Sequence, residues 1–83
     1  MQLVVLTPEK ELFKGEIKLI RLPGTKGSFE ILKNHAPIIS TLDEGIVKII
    51  DIQGKELFYK ISGGVVECKQ NKVILLIEKV LSQ

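Results

Sequence analysis

The sequence predicts an all-β protein, a small β-sandwich of about 8–10 short, mostly antiparallel strands. Three observations lead to this fold class. Runs of branched aliphatic residues, each long enough for one strand, recur about every 8 to 12 residues. Short turn-forming segments join two pairs of these runs. No segment shows the helical period that a long amphipathic helix would need.

The length of 83 residues leaves room for a single hydrophobic core. A chain of this size buries roughly 60–65% of its unfolded surface, so every core position matters. Hydrophobic residues make up 45% of the sequence but aromatic residues only 5%. The core must therefore consist mainly of Ile, Leu and Val, which favour strands. We expect one domain over residues 1–83.

The segment from Glu16 to Leu22 predicts a bulged strand. Its pattern puts Ile17 and Leu19 on one face and then slips, so that Ile20 and Leu22 lie on the other. Upstream of it, Thr7-Pro8-Glu9 could cap a short helix, with proline at the first helical position. A turn between two strands is the favoured interpretation, because so short a helix is marginal without packing.

Two hairpins follow in the second half of the chain. In each, two strand-like runs flank a short segment whose residues tolerate turn geometry. The last strand is expected to end near Glu78. The hairpins comprise Ile46–Ile52 and Lys55–Ile61 around Gln53-Gly54, and Val65–Lys69 and Lys72–Ile77 around Gln70-Asn71.

Charge and targeting signals exclude several classes of function. The net charge of +2 arises from 12 basic and 10 acidic residues scattered along the chain, without the run expected of a nucleic-acid arm or a polybasic membrane anchor. The N-terminus has no secretory signal, and no apolar run approaches the roughly 20 residues of a membrane span. Nucleic acid is therefore not an expected partner, and a membrane could be reached only through a partner protein.

The inventory of reactive side chains is small. Cys68 is the only cysteine and His35 the only histidine, too few for a structural zinc site, and the lone cysteine suggests a reducing compartment. Cys68 alternates with Val66 in a predicted strand, so a buried, inert thiol is expected. His35 has only Asn34 and Ala36 beside it, and a structural or interface role is favoured over general-base catalysis. We expect no cofactor and no metal.

Several turn formers, an aromatic residue and the only histidine fall within Pro23–Pro37, so function should be sought there. Gly24 and Gly27 lack the lysine and following helix of a phosphate-binding loop, and predict a tight turn. Gly63-Gly64 predicts a sharp bend or a close backbone contact. Glu67 suits a solvated strand position. An enzyme using His35 with Glu67 would require the two to meet in the fold.

Six motifs resemble the epsilon subunit of F-type ATP synthases in order and spacing. Each is weak alone, but the stretch from Pro23 to Ile39 combined with the Gly-Gly-x-x-Glu element is specific. The motifs are Thr7-Pro8-Glu9-Lys10, Phe13-x-Gly15-Glu16, Pro23-Gly24-x-x-Gly27-x-Phe29, Asn34-His35-Ala36-Pro37-Ile38-Ile39, Gly45-x-Val47, and Gly63-Gly64-x-x-Glu67 followed by Asn71-x-Val73.

The resemblance implies a non-catalytic rotor subunit in the central stalk, linking the gamma subunit to the c ring and coupling ion-driven rotation to ATP synthesis. It implies a peripheral position on the cytoplasmic face of a bacterial membrane, without small-molecule substrate. Exposed Phe29 would serve as an anchor. The implied c-ring contacts are Gly27, Ser28, Phe29 and Glu30, and the implied gamma contacts are His35, Ala36, Pro37, Ile38 and Ile39.

Two features depart from the family pattern. The family usually has glycine in place of Glu30 and proline in place of Lys33. Family members also typically continue into a pair of C-terminal helices used for nucleotide sensing and for inhibiting ATP hydrolysis. We expect no helical domain, nucleotide binding or helix-based inhibition from these 83 residues. The alternative is a small adaptor sandwich that binds partners by adding a strand at an exposed edge.

Overall fold

The computed structural model describes all 83 residues as nine strands without a helix, which confirms the predicted all-β class. One strand is much longer than expected, with 14 residues. The strands are β1 (Gln2–Leu6), β2 (Glu11–Gly24), β3 (Gly27–Leu32), β4 (Ile38–Leu42), β5 (Gly45–Asp51), β6 (Glu56–Ile61), β7 (Gly64–Lys69), β8 (Lys72–Ile77) and β9 (Val80–Ser82).

The long strand β2 connects the two layers of the sandwich. Its first half pairs with β1, and its second half pairs with β3 and β5. One layer therefore runs through β4, β7, β8 and β1, and the other through β3, β2, β5, β6 and β9. Only β1 and β8 are parallel; every other pairing is antiparallel, as predicted.

A bulge at Lys18 turns β2 from one layer into the other. Ile17 pairs with Asp51 and Leu19 with the next residue, Ile50, so one residue of β2 has no counterpart. The predicted bulge is confirmed, but the predicted faces are wrong. Ile17 is buried together with Ile20, while Leu19 faces outward. The extra residue shifts the alternation so that both isoleucines reach the core.

The core lies between the layers and consists almost entirely of aliphatic side chains. Alternation is clear in β8, where Val73, Leu75 and Ile77 are buried. No polar or charged side chain is buried, so the interior needs no internal polar network. Its residues are Leu3, Val5, Ile17, Ile20, Leu22, Ile31, Leu42, Val47, Ile49, Tyr59, Ile61, Val66, Cys68, Val73, Leu75 and Ile77.

Both predicted hairpins form, and their turns have identifiable causes. Between β7 and β8, Gln70 and Asn71 adopt left-handed backbone angles, with φ of 52° and 59°, the geometry that suits a two-residue hairpin turn. Between β5 and β6, Gly54 has φ of 86°. The Asp51 carboxylate closes this second turn by accepting bonds from the backbone N–H groups of Gln53 and Lys55, each at 2.9 Å.

The connection from β1 to β2 is a turn, as favoured from the sequence. The Thr7 hydroxyl oxygen accepts the backbone N–H groups of Glu9 and Lys10 at 3.3 and 3.1 Å. The Thr7 N–H also bonds to the Lys10 carbonyl at 2.9 Å. These bonds close the chain on itself over four residues and satisfy the donors that would start a helix.

The chain continues as a strand beyond Glu78, where the sequence prediction had ended it. After β8, Glu78 N–H bonds to Gly63 O and Ser62 N–H to Lys79 O, each at 2.9 Å. These bonds hold the connection against the β6–β7 loop, and Val80–Ser82 then pairs with β6 as β9. Three residues are too few for a recognisable period, so the pairing depends on the neighbouring strand.

Candidate functional site

The segment Pro23–Pro37 folds into the end of β2, a two-residue turn, β3 and the loop that leads to β4. Gly27 has φ of 124°, so the tight turn predicted around Gly24 and Gly27 is confirmed, with Thr25 and Lys26 at its tip. Ser28 and Glu30 are exposed on β3. The predicted c-ring residues therefore lie on a projecting hairpin.

Phe29 is not the exposed anchor predicted from the sequence. It pairs with Leu22 on β2, is half-buried and packs against the core. Its ring covers Gly24, where an added Cβ would lie 2.8 Å from a ring carbon. The alternation of Phe29 with the buried Ile31 was the sequence signal for this inward position. Phe29 supports the hairpin from inside.

Glu30 and Lys33, the two departures from the family pattern, are both exposed. One Glu30 carboxylate oxygen lies 3.5 Å from Arg21 Nε, on the neighbouring strand. Such an exposed pair contributes little to stability, commonly below about 1 kcal/mol. Glu30 is thus a cross-strand charge that remains available for contacts outside the chain.

His35 has a structural setting and no catalytic partner. Its backbone N–H bonds to Leu32 O at 3.1 Å, and its ring Nδ1 lies 2.7 Å from Ala36 O. Glu67 lies on β7, opposite Ile39, and makes no hydrogen bond to the histidine. The arrangement that an enzyme based on His35 and Glu67 would require is not formed.

A pair of asparagines fixes the loop that carries His35. Asn34 N–H donates to Asn71 Oδ1 at 2.6 Å, and Asn71 Nδ2 donates to Asn34 Oδ1 at 3.0 Å. Both residues have positive φ, 66° and 59°, which asparagine tolerates better than most residues. The β3–β4 loop is thereby held against the β7–β8 turn, although the two asparagines are 37 positions apart.

The predicted gamma residues run from this loop into β4. Ala36 and Pro37 are exposed, Ile38 packs against the core, and the Ile39 side chain is 72% exposed. A groove of about 570 Å³ separates Ile38–Thr41 from Gly24–Phe29. The structure thus brings parts of the two predicted contact sets to the walls of one groove. His35 is not among the residues that line it and lies in the loop before the first residue of β4.

The outer face of the layer formed by β4, β7, β8 and β1 carries an exposed apolar patch, which sequence reasoning missed. Strand pairing aligns Val65 with Leu76 and Leu76 with Leu6. In the neighbouring row, the exposed Glu67 lies between Ile39 and Ile74. Ile39, Val65 and Leu76 are exposed. The sequence of β8 could have indicated these exposed apolar residues, because it has apolar residues on both faces of the strand.

Cys68 is buried on the inner face of β7, and burial raises the pKa of its thiol. A thiol in this state is a poor nucleophile at neutral pH, in agreement with the predicted inert role. No group of three or more His, Cys, Asp or Glu side chains is arranged to hold a metal ion. The structure also contains no helix that could cross a membrane.

These features define a class of protein: a β-sandwich with an aliphatic core whose exposed hairpin, groove and apolar patch suit contacts with other macromolecules. Comparisons with known proteins agree with the β-sandwich fold. The family model of the ATP synthase delta/epsilon chain β-sandwich domain matches residues 1–83 of this sequence. The ATP synthase epsilon chain of Chlorobaculum tepidum is 41% identical over 76 residues, which cover 92% of this chain and 86% of that protein.

Two solved structures share the fold. A chain in the mitochondrial ATP synthase of Euglena gracilis, solved with OSCP, F1 and c-ring, has a TM-score of 0.88 at 22% identity. A chain in the central stalk and c-ring of Tetrahymena thermophila ATP synthase has a TM-score of 0.82 at 17% identity. This chain is covered to 96% and 98%, but spans 51% and 65% of theirs.

The protein belongs to the β-sandwich family of the ATP synthase delta/epsilon chain. Within that family the curated relatives that it matches include epsilon chains, as the sequence motifs indicated. It is accordingly a non-catalytic subunit of the synthase, not an enzyme in its own right. It spans 86% of the length of the Chlorobaculum tepidum chain but 59% of that of Leptospira interrogans.

Proposed function

We propose that this chain is a central-stalk subunit that links the gamma subunit to the c ring and couples ion-driven rotation to ATP synthesis. The observation that carries the proposal is the family match over residues 1–83. A rotor link must transmit torque without deforming. A small sandwich with an aliphatic core and no buried charge meets this requirement.

The two contacts fall on different parts of the sandwich. The exposed hairpin residues Gly27, Ser28 and Glu30 would meet the c ring, with Phe29 supporting them from the core. The loop and strand from His35 to Ile39 would meet gamma. The asparagine pair that fixes this loop supports the assignment, because a pre-ordered loop loses less entropy on binding.

The same assignment places the chain at the cytoplasmic face of a bacterial membrane, held there through the complex. Copurification tests it. Detergent-solubilised membranes should yield the chain together with gamma and the c ring. Recovery of the chain only in soluble fractions free of gamma would contradict the proposal.

We further propose that the 83 residues couple rotation to catalysis without inhibiting ATP hydrolysis. All of their regular structure is strand, so they offer no helix that could insert into the catalytic head. Adding the chain to a synthase depleted of it should raise proton or sodium pumping per ATP hydrolysed and leave the hydrolysis rate nearly unchanged. An ATP-dependent loss of hydrolysis on addition of this chain would contradict this part.

A further inference from the structure

One edge of β4 has backbone groups that are not paired with another strand. Strand β4 pairs along all five residues with β7 on one side. On the other side only Leu42 is paired, with Gly24 at the end of β2. An unpaired strand edge is a ready template for another extended chain.

The register of the sheet identifies which backbone groups are free. Gln70 and Asn71 form a two-residue turn, so Lys69 and Lys72 exchange both hydrogen bonds, as do Glu67 and Ile74 two positions on. Residues Val66 and Cys68 must then bond to β4, through Ser40 and Ile38. The N–H and C=O groups of Ile39 therefore point away from β7.

A hydrogen bond at the end of β4 supports this assignment. Thr41, two residues after Ile39, accepts the Thr25 N–H at its carbonyl oxygen at 3.3 Å, on the side away from β7. Residues two apart in a strand direct their backbone groups the same way. The Thr25 and Thr41 hydroxyl oxygens are also 3.2 Å apart. The hairpin therefore occupies the edge at Thr41 and leaves it open at Ile39.

Within β4 itself, the open edge lacks the features that usually protect one. Natural sheets block edges with charges, prolines or bulges. Pro37 stands directly before β4, but the strand itself has the uncharged sequence Ile-Ile-Ser-Thr-Leu and a regular register. The neighbouring free edge on β3 differs, since it carries Glu30 and is followed by Lys33. An unprotected, β-branched edge beside a groove favours β4 as the docking strand.

We propose that an extended segment of the gamma subunit, to which the proposed function assigns Ile39, adds to β4 as a further strand, pairing its backbone with Ile39 in the groove between Ile38–Thr41 and Gly24–Phe29. The proposal rests on the proposed function, since it describes how a stalk partner makes contact. The open stretch holds three to four residues, or about 10 to 14 Å of extended chain.

The surroundings define the chemistry of that segment. On the outer face it lies beside Ile39, the most exposed of the large hydrophobic residues, so an apolar side chain fits there. On the inner face it lies near Ser40 and the half-buried Phe29, which favours a small or apolar side chain. A second copy of this chain fits less well, because each copy carries its own hairpin wall over the groove.

Amide hydrogen exchange at Ile39 tests the pairing. It would be measured in the free chain at low and high concentration and in the assembled synthase. We expect fast exchange in the free chain and at least about tenfold slower exchange in the complex, because pairing protects the N–H. Unchanged exchange on assembly would overturn the proposal. So would protection in the free chain, whether constant or rising with concentration; the latter would identify a second copy as the occupant.

Two substitutions of Ile39 distinguish the contribution of its backbone N–H to binding from that of its side chain. Ile39→Pro removes the N–H, which edge strands tolerate when that N–H faces solvent. It should weaken rebinding to synthase depleted of this chain by roughly tenfold. Ile39→Thr keeps the N–H and should lose less. Equal loss in both variants would overturn backbone pairing, and the exchange measurement decides if Ile39→Pro unfolds.

Assembly of the chain into the synthase and backbone pairing at Ile39 are measured by different experiments. Copurification reports the proposed function. Exchange at Ile39 reports the mode of contact. A chain that assembles with Ile39 unprotected would leave the stalk function standing and refute strand addition.

Discussion

An added methyl group should destabilise the folded protein most at Gly64. It lies on β7 between two pairing partners, Leu42 on β4 and Ile77 on β8. A Cβ added at Gly64 would overlap the Leu76 carbonyl oxygen and lie 3.3 Å from Ile77 Cα. These neighbours are backbone atoms of a paired strand and cannot move without disturbing the sheet.

The expected cost of Gly64→Ala follows from this geometry. Overpacking of a rigid site costs typically 1–3 kcal/mol, and a clash with paired backbone belongs at the upper end, about 3 kcal/mol. An 83-residue domain has a total stability of only about 4–12 kcal/mol. Since 1 kcal/mol corresponds to roughly 4–8 °C in a domain of this size, the Tm should fall by about 12–24 °C.

Circular dichroism melting and urea unfolding provide the assay, and Gly15→Ala provides the matched control. A Cβ at Gly15 would meet only the Phe13 ring, at an ordinary 3.5 Å, so its free energy of unfolding should change by less than about 1 kcal/mol. If Gly64→Ala melted within about 2 °C of the parent, the argument from backbone overlap would be refuted.

Three further predictions concern packing, the asparagine pair and pH. Phe29→Ala should lower the free energy of unfolding by about 2–3 kcal/mol, less than for a fully buried ring, whereas a change below about 0.5 kcal/mol in urea unfolding would mean that the ring does not support the hairpin. Asn71→Gly keeps the positive φ but removes the bonds to Asn34, so it should lower the free energy of unfolding by about 1–2 kcal/mol. A free energy of unfolding equal to that of the parent would contradict this prediction. Burial raises the pKa of Cys68 above its ordinary value. The folded state therefore holds the thiol proton more tightly, and stability is full below about pH 8 and falls as pH rises through the ordinary thiol pKa of about 8.5. Cys68→Ala should flatten this decline in urea unfolding from pH 7 to 9.5, and an unchanged slope would contradict the assignment.

The sequence predicted local structure well because the deciding residues are local. Gly54 and Asn71 supply the backbone angles that their turns need, so both hairpins followed from short segments. The paired glycines at Gly63 and Gly64 indicated a close backbone contact. The motifs around Pro23–Ile39 identified the family before any geometry was known.

The errors and omissions depend on contacts between distant segments. The faces of Ile17 and Leu19 depend on how Lys18 bulges against β5, which no window of the sequence reveals. The ninth strand forms because β6 offers an edge. The free backbone of Ile39 likewise follows from β4 pairing with only one full neighbour. Phe29 was a different kind of error, because its alternation with Ile31 already placed it inward.

The central claim, that this sandwich links two different parts of the rotor, is tested most directly by site-specific photo-crosslinking in the assembled synthase. A photo-crosslinking amino acid would replace Ser28 on the hairpin in one variant and Ala36 in the loop before β4 in another; both positions are exposed. Mass spectrometry should find the c subunit joined to position 28 and gamma joined to position 36. Crosslinks from both positions to a single partner, or to neither subunit, would contradict the account.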